Sequence, residues 1–201
     1  LGLVGSEMCI RDSSYAGEKG FEIHVHNGSM KKIYDELVQH GENFNLIHFG
    51  MLALDSMRLE KNYRSWKSDL TSDYTMLQSG LEKWIKFDKG NFIGKEALKN
   101  EFDLGTSKKF VTLVVDDPED NKPFGEPVYL SPVFAGDDYL GPIVSSGYGH
   151  RVKKSISMAI LDDRNLNGLN DQLYIDVLGR KRKAYIVNKA LYDPENLKLR
   201  S

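Results

Sequence analysis

The chain has 201 residues, is 40% hydrophobic and 28% charged, and carries a formal net charge of -2, enough length and apolar content to bury a real core in one or two domains. No apolar stretch approaches the roughly 20 residues of a bilayer span, and the near-neutral balance argues against broad nucleic-acid binding. Cys9 is the only cysteine, so residues 14–201 offer no thiol for disulfide, zinc or nucleophilic chemistry, which suits a reducing compartment: the cytoplasm, or the mitochondrial matrix in a eukaryote.

The opening stretch, LGLVGSEMCIRDS, has no initiator Met, no Lys or Arg ahead of its short apolar run, and no helical stripe. Two glycines interrupt it as a strand. Residues 1–13 read as a non-native leader, with the protein proper entering mid-fold near Ser14.

Phe21, Ile23 and Val25 alternate with Glu22, His24 and His26, the period of a half-buried strand. Asn27-Gly28 breaks it. Met30, Ile33, Tyr34, Leu37 and Val38 then mark an amphipathic helix, with Ser29 as N-cap and Gly41 as its stop. HFGMLALDSMRLEK predicts a second, more buried helix with Met51, Leu54 and Arg58 on one face. After a polar, irregular stretch over Asn62–Asp73, LQSGLEKWIKFDKG predicts a helical turn, a strand and a Gly turn, and FIGKEALKNE a short helix. From Lys108 the texture changes to short β-rich runs: KFVTLVV, EPVYL, GPIVSSG, ISMAIL, QLYIDVL and KAYIVNKAL. Their even spacing predicts an antiparallel barrel or sandwich, with the domain boundary near Phe102–Lys108. The basic run Arg180-Lys181-Arg182-Lys183 reads as a solvated hairpin tip.

Two clusters can be weighed for chemistry. Glu22, His24 and His26 share one strand face and could form a metal triad, but any half-exposed strand gathers its polar residues this way, and no metal is assigned. Arg58 stands in line with apolar residues, and an inward guanidinium needs an anion. Asp55, three residues earlier on the helix, is the internal partner; a ligand carboxylate is the functional one. Spacing favours the internal pair. In YAGEKGFE, Gly17 and Gly20 make a turn. There is no dinucleotide fingerprint, phosphate loop or nucleophile elbow.

Three ordered segments, YAGEKGFEIHV, LDSMRLEKNYRSWKSDLT and SGLEKWIKFDKGNFIGKEAL, resemble the aminomethyltransferase (glycine-cleavage T-protein) folate-binding family, and the resemblance continues through SSGYGHRVKKSISMAIL. RLEKNYRSWKSDL is more similar to the C-terminal part of FAD-dependent dimethylglycine and sarcosine dehydrogenases. The resemblance implies an α+β chain: residues 14–104 as the C-terminal half of a T-protein-like folate-binding domain, and 105–201 as a C-terminal antiparallel β-barrel. It also implies a chain truncated at its N-terminus. Carried over residue by residue, it makes Glu22 the carboxylate for the pterin's paired N–H donors and Tyr15 the pocket tyrosine. Arg58 becomes the folate-site arginine, and Trp66 a stacking face where the T-protein has tyrosine. Thr75-Met76 departs from the family's Thr-Pro.

The implied reaction passes one carbon from an N-methyl amine to tetrahydrofolate, giving 5,10-methylenetetrahydrofolate, with FAD in the absent N-terminal domains, which are also the implied partners. The family's catalytic acid comes from that absent half, so no catalytic residue is assigned here and the chain alone is expected to be inactive. Two alternatives stand beside this: a fragment of a free-standing aminomethyltransferase of the glycine cleavage system, and a non-catalytic folate-binding or assembly module. No nucleic-acid or membrane partner is expected.

Overall fold

The computed structural model of the chain describes residues 8–11, 14–115, 127–163, 166 and 173–200, with backbone alone for 8–11. Most of the leader therefore lies outside the described residues. Met8–Arg11 forms β1, antiparallel to β2, Glu22–Val25, with Cys9 opposite His24. That strand begins after Gly2 and Gly5, the two residues whose flexibility counts against one.

α1 spans Asn27–Gly41, beginning two residues before the expected cap. The extended residue before it is His26, whose Nδ1 accepts from the Gly28 N–H at 3.3 Å, so the imidazole and not the Ser29 hydroxyl satisfies an orphan donor of the first turn. α2 spans Met51–Glu60, and its expected burial is confined to its last turn. Met51 and Leu52 are 70% and 88% exposed, whereas Arg58, Leu59 and Glu60 are buried, because only that end reaches the barrel. A 3₁₀ turn at Glu82–Trp84 follows, but the strand expected after it is a turn closed by Lys89 N–H to the Lys86 carbonyl. α3, Lys95–Leu104, is the short helix expected there.

The barrel comprises β3 (Lys108–Val115), β4 (Pro132–Ala135), β5 (Asp138–Gly149), β6 (Lys154–Asp162), β7 (Leu173–Val177) and β8 (Arg180–Val187). They close in the order β3-β6-β5-β4-β7-β8, every pairing antiparallel. The architecture is thus α+β with a closed six-stranded barrel. Of the six β-rich runs, EPVYL is displaced. Leu130 takes φ 67°, Ser131 N–H bonds the Val128 carbonyl, and the strand is instead Pro132–Ala135. The basic run also shifts. Leu178 and Gly179, both at positive φ, make the two-residue turn that a hairpin's twist demands, so Arg180–Lys183 form the first half of β8.

Apolar side chains fill both sides of the barrel wall. Leu113, Val133, Ile143, Ala159, Leu161, Leu173 and Ile175 pack inside. Phe110, Val144, Ile156, Met158 and Ile160 form an outer cluster, into which Leu59 of α2 inserts. Burial on both faces explains why β3 and β6 read as unbroken apolar runs and not as alternation. It also places the end of α2, and the loop after it, against the barrel.

Candidate functional site

Four consecutive residues at the end of α2 anchor that loop, each to a different part of the molecule. Arg58, 4% exposed, donates Nε to Asp55 at 3.1 Å, Nη1 to Asp69 at 2.7 Å and to the Tyr63 carbonyl at 3.2 Å, and Nη2 to the Ser145 hydroxyl of β5 at 3.0 Å. Asp69, fully buried, also accepts from the Ser65 N–H at 2.6 Å and from the Ser145 hydroxyl, so all the charge here is matched internally. Leu59 enters the outer core. Glu60 Oε1 accepts the backbone N–H groups of Arg151 (2.7 Å) and Val152 (3.2 Å) in the β5–β6 turn. Its carbonyl accepts the Tyr192 N–H at 3.0 Å.

Lys61 completes the set. Its ammonium donates to the Asp193 carbonyl and Asn196 Oδ1, both at 2.7 Å, and to Asp193 Oδ2 at 3.2 Å. Desolvation pushes the Asp193 carboxyl up, but hydrogen bonds from Lys61 and from the Lys198 and Leu197 N–H groups outweigh it and hold its pKa down. The Lys61 stem lies beneath the Tyr15–Gly20 loop at Gly17. There φ is +76°, and a Cβ would sit 2.1 Å from Lys61 Cγ, so glycine is required twice over, for its backbone angle and for the close approach. On the same loop Glu18 binds Arg151 and accepts from the Tyr192 hydroxyl at 2.7 Å. These bonds outweigh desolvation and lower the Glu18 pKa.

The clamped loops border an open cavity of about 600 Å³ lined by Tyr15, Tyr63, Arg64, Lys83 and Trp84. Tyr15 stacks on Tyr63 with ring centroids 6.3 Å apart and planes 19° apart, and its hydroxyl donates to the Arg64 carbonyl at 3.0 Å. Burial raises the Tyr15 pKa, offset in part by the nearby Arg58 charge, and keeps the phenol neutral. Lys83 lies 5.2 Å from the Trp84 ring centroid. The result is an aromatic wall with cationic edges, suited to a flat, polar, anionic molecule.

The residues singled out in the sequence are only partly brought together. Tyr15 lines this cavity. Arg58 lies behind it, with its donors spent on Asp55, Asp69, Tyr63 and Ser145, so the internal pairing that spacing favours is present and is extended by Asp69. Trp66, 77% exposed, lines an adjoining cavity of about 530 Å³ with Tyr74 and Met76; the two cavities share Leu70 and Leu81. Glu22 is exposed on β2, its carboxylate 3.4 Å from His24 Nε2, and lines neither cavity. Among the described residues no cluster of His, Cys, Asp or Glu could hold a metal ion. No helix of the described residues is long and apolar enough to cross a membrane.

Asp69, Lys61, Arg64 and Trp84 are absent from the sequence reading. Asp69 was findable in principle: a buried arginine needs more anion than one half-exposed Asp55 supplies. Nothing local marks Trp84, which reaches the site only because a 3₁₀ turn swings it there.

Residues 2–89 match the family model described as the GCVT N-terminal domain, and residues 108–193 match the glycine cleavage T-protein C-terminal barrel domain. An aminomethyltransferase of Thermoanaerobacter sp. (strain X514) is 30% identical over 190 residues, covering 94% of this chain and 50% of that protein. The mitochondrial dimethylglycine dehydrogenase of Homo sapiens is 30% identical over 183 residues, covering 89% of this chain and 20% of that protein. In fold, the chain resembles the crystal structure of glycine cleavage system aminomethyltransferase T from Bartonella henselae, with a TM-score of 0.81 at 20% identity, covering 94% of this chain and 51% of the other. The chain spans about half the length of the aminomethyltransferases it matches.

Proposed function

The chain belongs to the glycine cleavage T-protein family, and on that premise we propose that it forms the tetrahydrofolate-contacting part of an enzyme that moves a one-carbon unit. The observation that carries this reading is the aromatic wall of Tyr15, Tyr63 and Trp84 around a cavity of about 600 Å³. The rings offer stacking faces to a flat heterocycle, and Lys83 offers a cation at the edge for the acidic end of the molecule. Bound there, tetrahydrofolate would supply the acceptor for the one-carbon unit. This chain's residues bind and orient it, and Lys61, Glu60 and Arg58 hold the wall against the barrel. Glu22, exposed on β2 and outside this cavity, is proposed from the family resemblance alone for the paired N–H donors of the pterin edge. The catalytic acid and any FAD belong to parts of the fold that this chain does not span.

The donor of the carbon is an N-methyl amine, as in the dimethylglycine dehydrogenases. This finer assignment is supported by the run Arg58-Leu59-Glu60-Lys61-Asn62-Tyr63-Arg64, whose resemblance to those enzymes falls on the residues that clamp the site. The aminomethyl group handled by an aminomethyltransferase is the alternative, at the same 30% identity. Titrating tetrahydrofolate into the 201-residue chain should quench tryptophan fluorescence, and Trp84→Ala should weaken binding by roughly tenfold or more, since stacking of this kind contributes on the order of 1–3 kcal/mol. Absence of binding to the parent chain overturns the reading. Flavin reduced by an N-methyl amine in the longer protein separates the dehydrogenase from the transferase.

A further inference from the structure

The fold treats two arginines six positions apart, Arg58 and Arg64, in opposite ways. Arg58 is enclosed by two carboxylates, a carbonyl and a hydroxyl. Arg64 is partly buried, its Nε is shut off from solvent without a hydrogen-bond partner, and its guanidinium lies 4.2 Å from the centroid of the Phe110 ring. Among the described residues no carboxylate is in ion-pair contact with it; Glu82 and Asp69 act on it only from a distance, and desolvation, the larger influence, pulls its pKa down. A desolvated guanidinium that keeps its charge beside an aromatic face, with no counter-ion of its own, is poised to gain from an incoming anion.

The direction of the head group is set by its neighbours. Phe110, Gly80 and Glu82 all line a cavity of about 570 Å³ between β3, β8 and the end of α3, and none of them lines the aromatic cavity. Gly80, at φ +64°, is bare where a Cβ would stand 2.6 Å from Arg64 Nη2, so the backbone makes room for the guanidinium on this side. The same cavity is lined by Asn62, Thr106 and Lys109. Asn62 uses its carbonyl oxygen to accept from the Thr112 hydroxyl at 2.7 Å, which leaves its amide N–H groups as donors. Two carboxylates, Glu82 and Asp163, also line it and select against extended polyanions.

We propose that this second cavity is a binding site for a small oxyanion, a carboxylate or a phosphate group, held by the terminal nitrogens of Arg64 with Asn62 and Lys109 as supporting donors. The proposal does not rest on folate binding; Arg64 and Asn62 border both cavities, and the anion is placed in this one because Phe110 and Gly80, which flank the guanidinium, line it and not the aromatic cavity.

The test uses the full 201-residue chain and two probes, acetate and inorganic phosphate, followed by ¹⁵N–¹H NMR at constant ionic strength. Saturable shifts are expected at the Arg64 Nε–H and at the Thr106 and Lys109 amides, with little change at the Trp84 indole or Tyr15 amide. The probe that saturates at lower concentration identifies the anion class. Arg64→Met should weaken binding by about tenfold or more, the scale of a lost charge-assisted hydrogen bond. Arg64→Lys, which keeps the charge but loses the planar fork, should restore part of it. Gly80→Ala, which displaces the guanidinium, should weaken binding without removing any charge, and it decides the matter should Arg64→Met fail to fold. Unsaturable shifts, shifts centred on Trp84 and Tyr15, or equal binding by the parent and both Arg64→Met and Gly80→Ala overturn the proposal.

Discussion

The barrel half and the half that precedes it hide their apolar surface to very different degrees. Of the buried apolar side chains among the described residues, only Leu59 and Leu77 come before Phe110. Conversely, Met30, Tyr34 and Leu37, the expected inner face of α1, are exposed, as are Phe44, Ile47 and Phe49 in the segment after it. Both halves have the apolar periodicity of ordinary globular elements. The barrel closes on itself around its inner core. Residues 14–104 instead hold to the barrel by Leu59 and Tyr74 at the outer cluster and by polar clamps at Arg58, Glu60, Lys61 and Glu18, and the apolar stripe of α1 is exposed. Adhesion by matched charges and cohesion by a core respond to different perturbations, so the comparison can be broken experimentally.

The largest effect expected is on folding itself. Residues 108–201 alone should give a β-dominated circular dichroism spectrum and one cooperative unfolding transition, whereas residues 14–104 alone should give none. A disordered or helix-dominated spectrum from the barrel piece would show that the closed sheet is not self-sufficient.

Next comes the buried pair. Asp69→Ala strands the Arg58 guanidinium at 4% exposure, and removing one partner of a buried pair costs about 3–5 kcal/mol. Arg58→Met with Asp69→Leu should cost much less than Asp69→Ala, because it leaves no unpaired charge. Denaturant unfolding of both variants measures the difference. A double variant no more stable than the single one would mean that the pair is not what binds this loop to Ser145.

Smaller again is the response to acid. Glu18 and Asp193 both have folded-state pKa values below their ordinary ones, Asp193 through Lys61 and two backbone N–H groups, and Glu18 through Arg151 and Tyr192. A depressed carboxyl contributes stability that is fully present above its ordinary pKa and is lost as pH falls through the depressed one. Protection against hydrogen exchange at Tyr192, Asn196 and Leu197, corrected for the intrinsic rate at each pH, should therefore fall in acid before that of the barrel amides does. Lys61→Met should remove the part of that dependence that Asp193 owes to the ammonium, leaving the part owed to the Leu197 and Lys198 N–H groups; an unchanged profile would mean that the clamp is not electrostatic.

How far these features can be read from sequence follows the same division. The barrel strands were legible because closed sheets enforce short apolar runs between turns, and EPVYL misled only because Leu130 adopts a positive φ that its residue type does not advertise. α1 was legible as an amphipathic helix, but periodicity reports which face is apolar and not whether anything covers it. The pairing of Arg58 with Asp69 spans an irregular loop, as does that of Lys61 with Asp193 across most of the chain, and no local spacing encodes either. Resemblance singles out Tyr15, which lines the aromatic cavity. Trp84 and Arg64 came to light only in three dimensions, where turns and glycines bring them to cavities.

The smallest effect is the sharpest test of the comparison. Leu37 occupies the centre of the α1 stripe, a position where burial in a core would make replacement by Lys cost several kcal/mol through lost transfer energy and a stranded charge. In this chain it is exposed, so Leu37→Lys should change the unfolding free energy by no more than about 0.5 kcal/mol, the usual range for surface substitutions. Leu59→Ala supplies the contrast: it empties a site in the outer barrel core and should cost about 2–5 kcal/mol. Leu37→Lys should also lower the binding of a hydrophobic dye, because it interrupts the stripe formed with Met30 and Tyr34. If it instead destabilises the chain as much as Leu59→Ala does, the stripe is already covered in solution, and the two halves differ less than their exposures indicate.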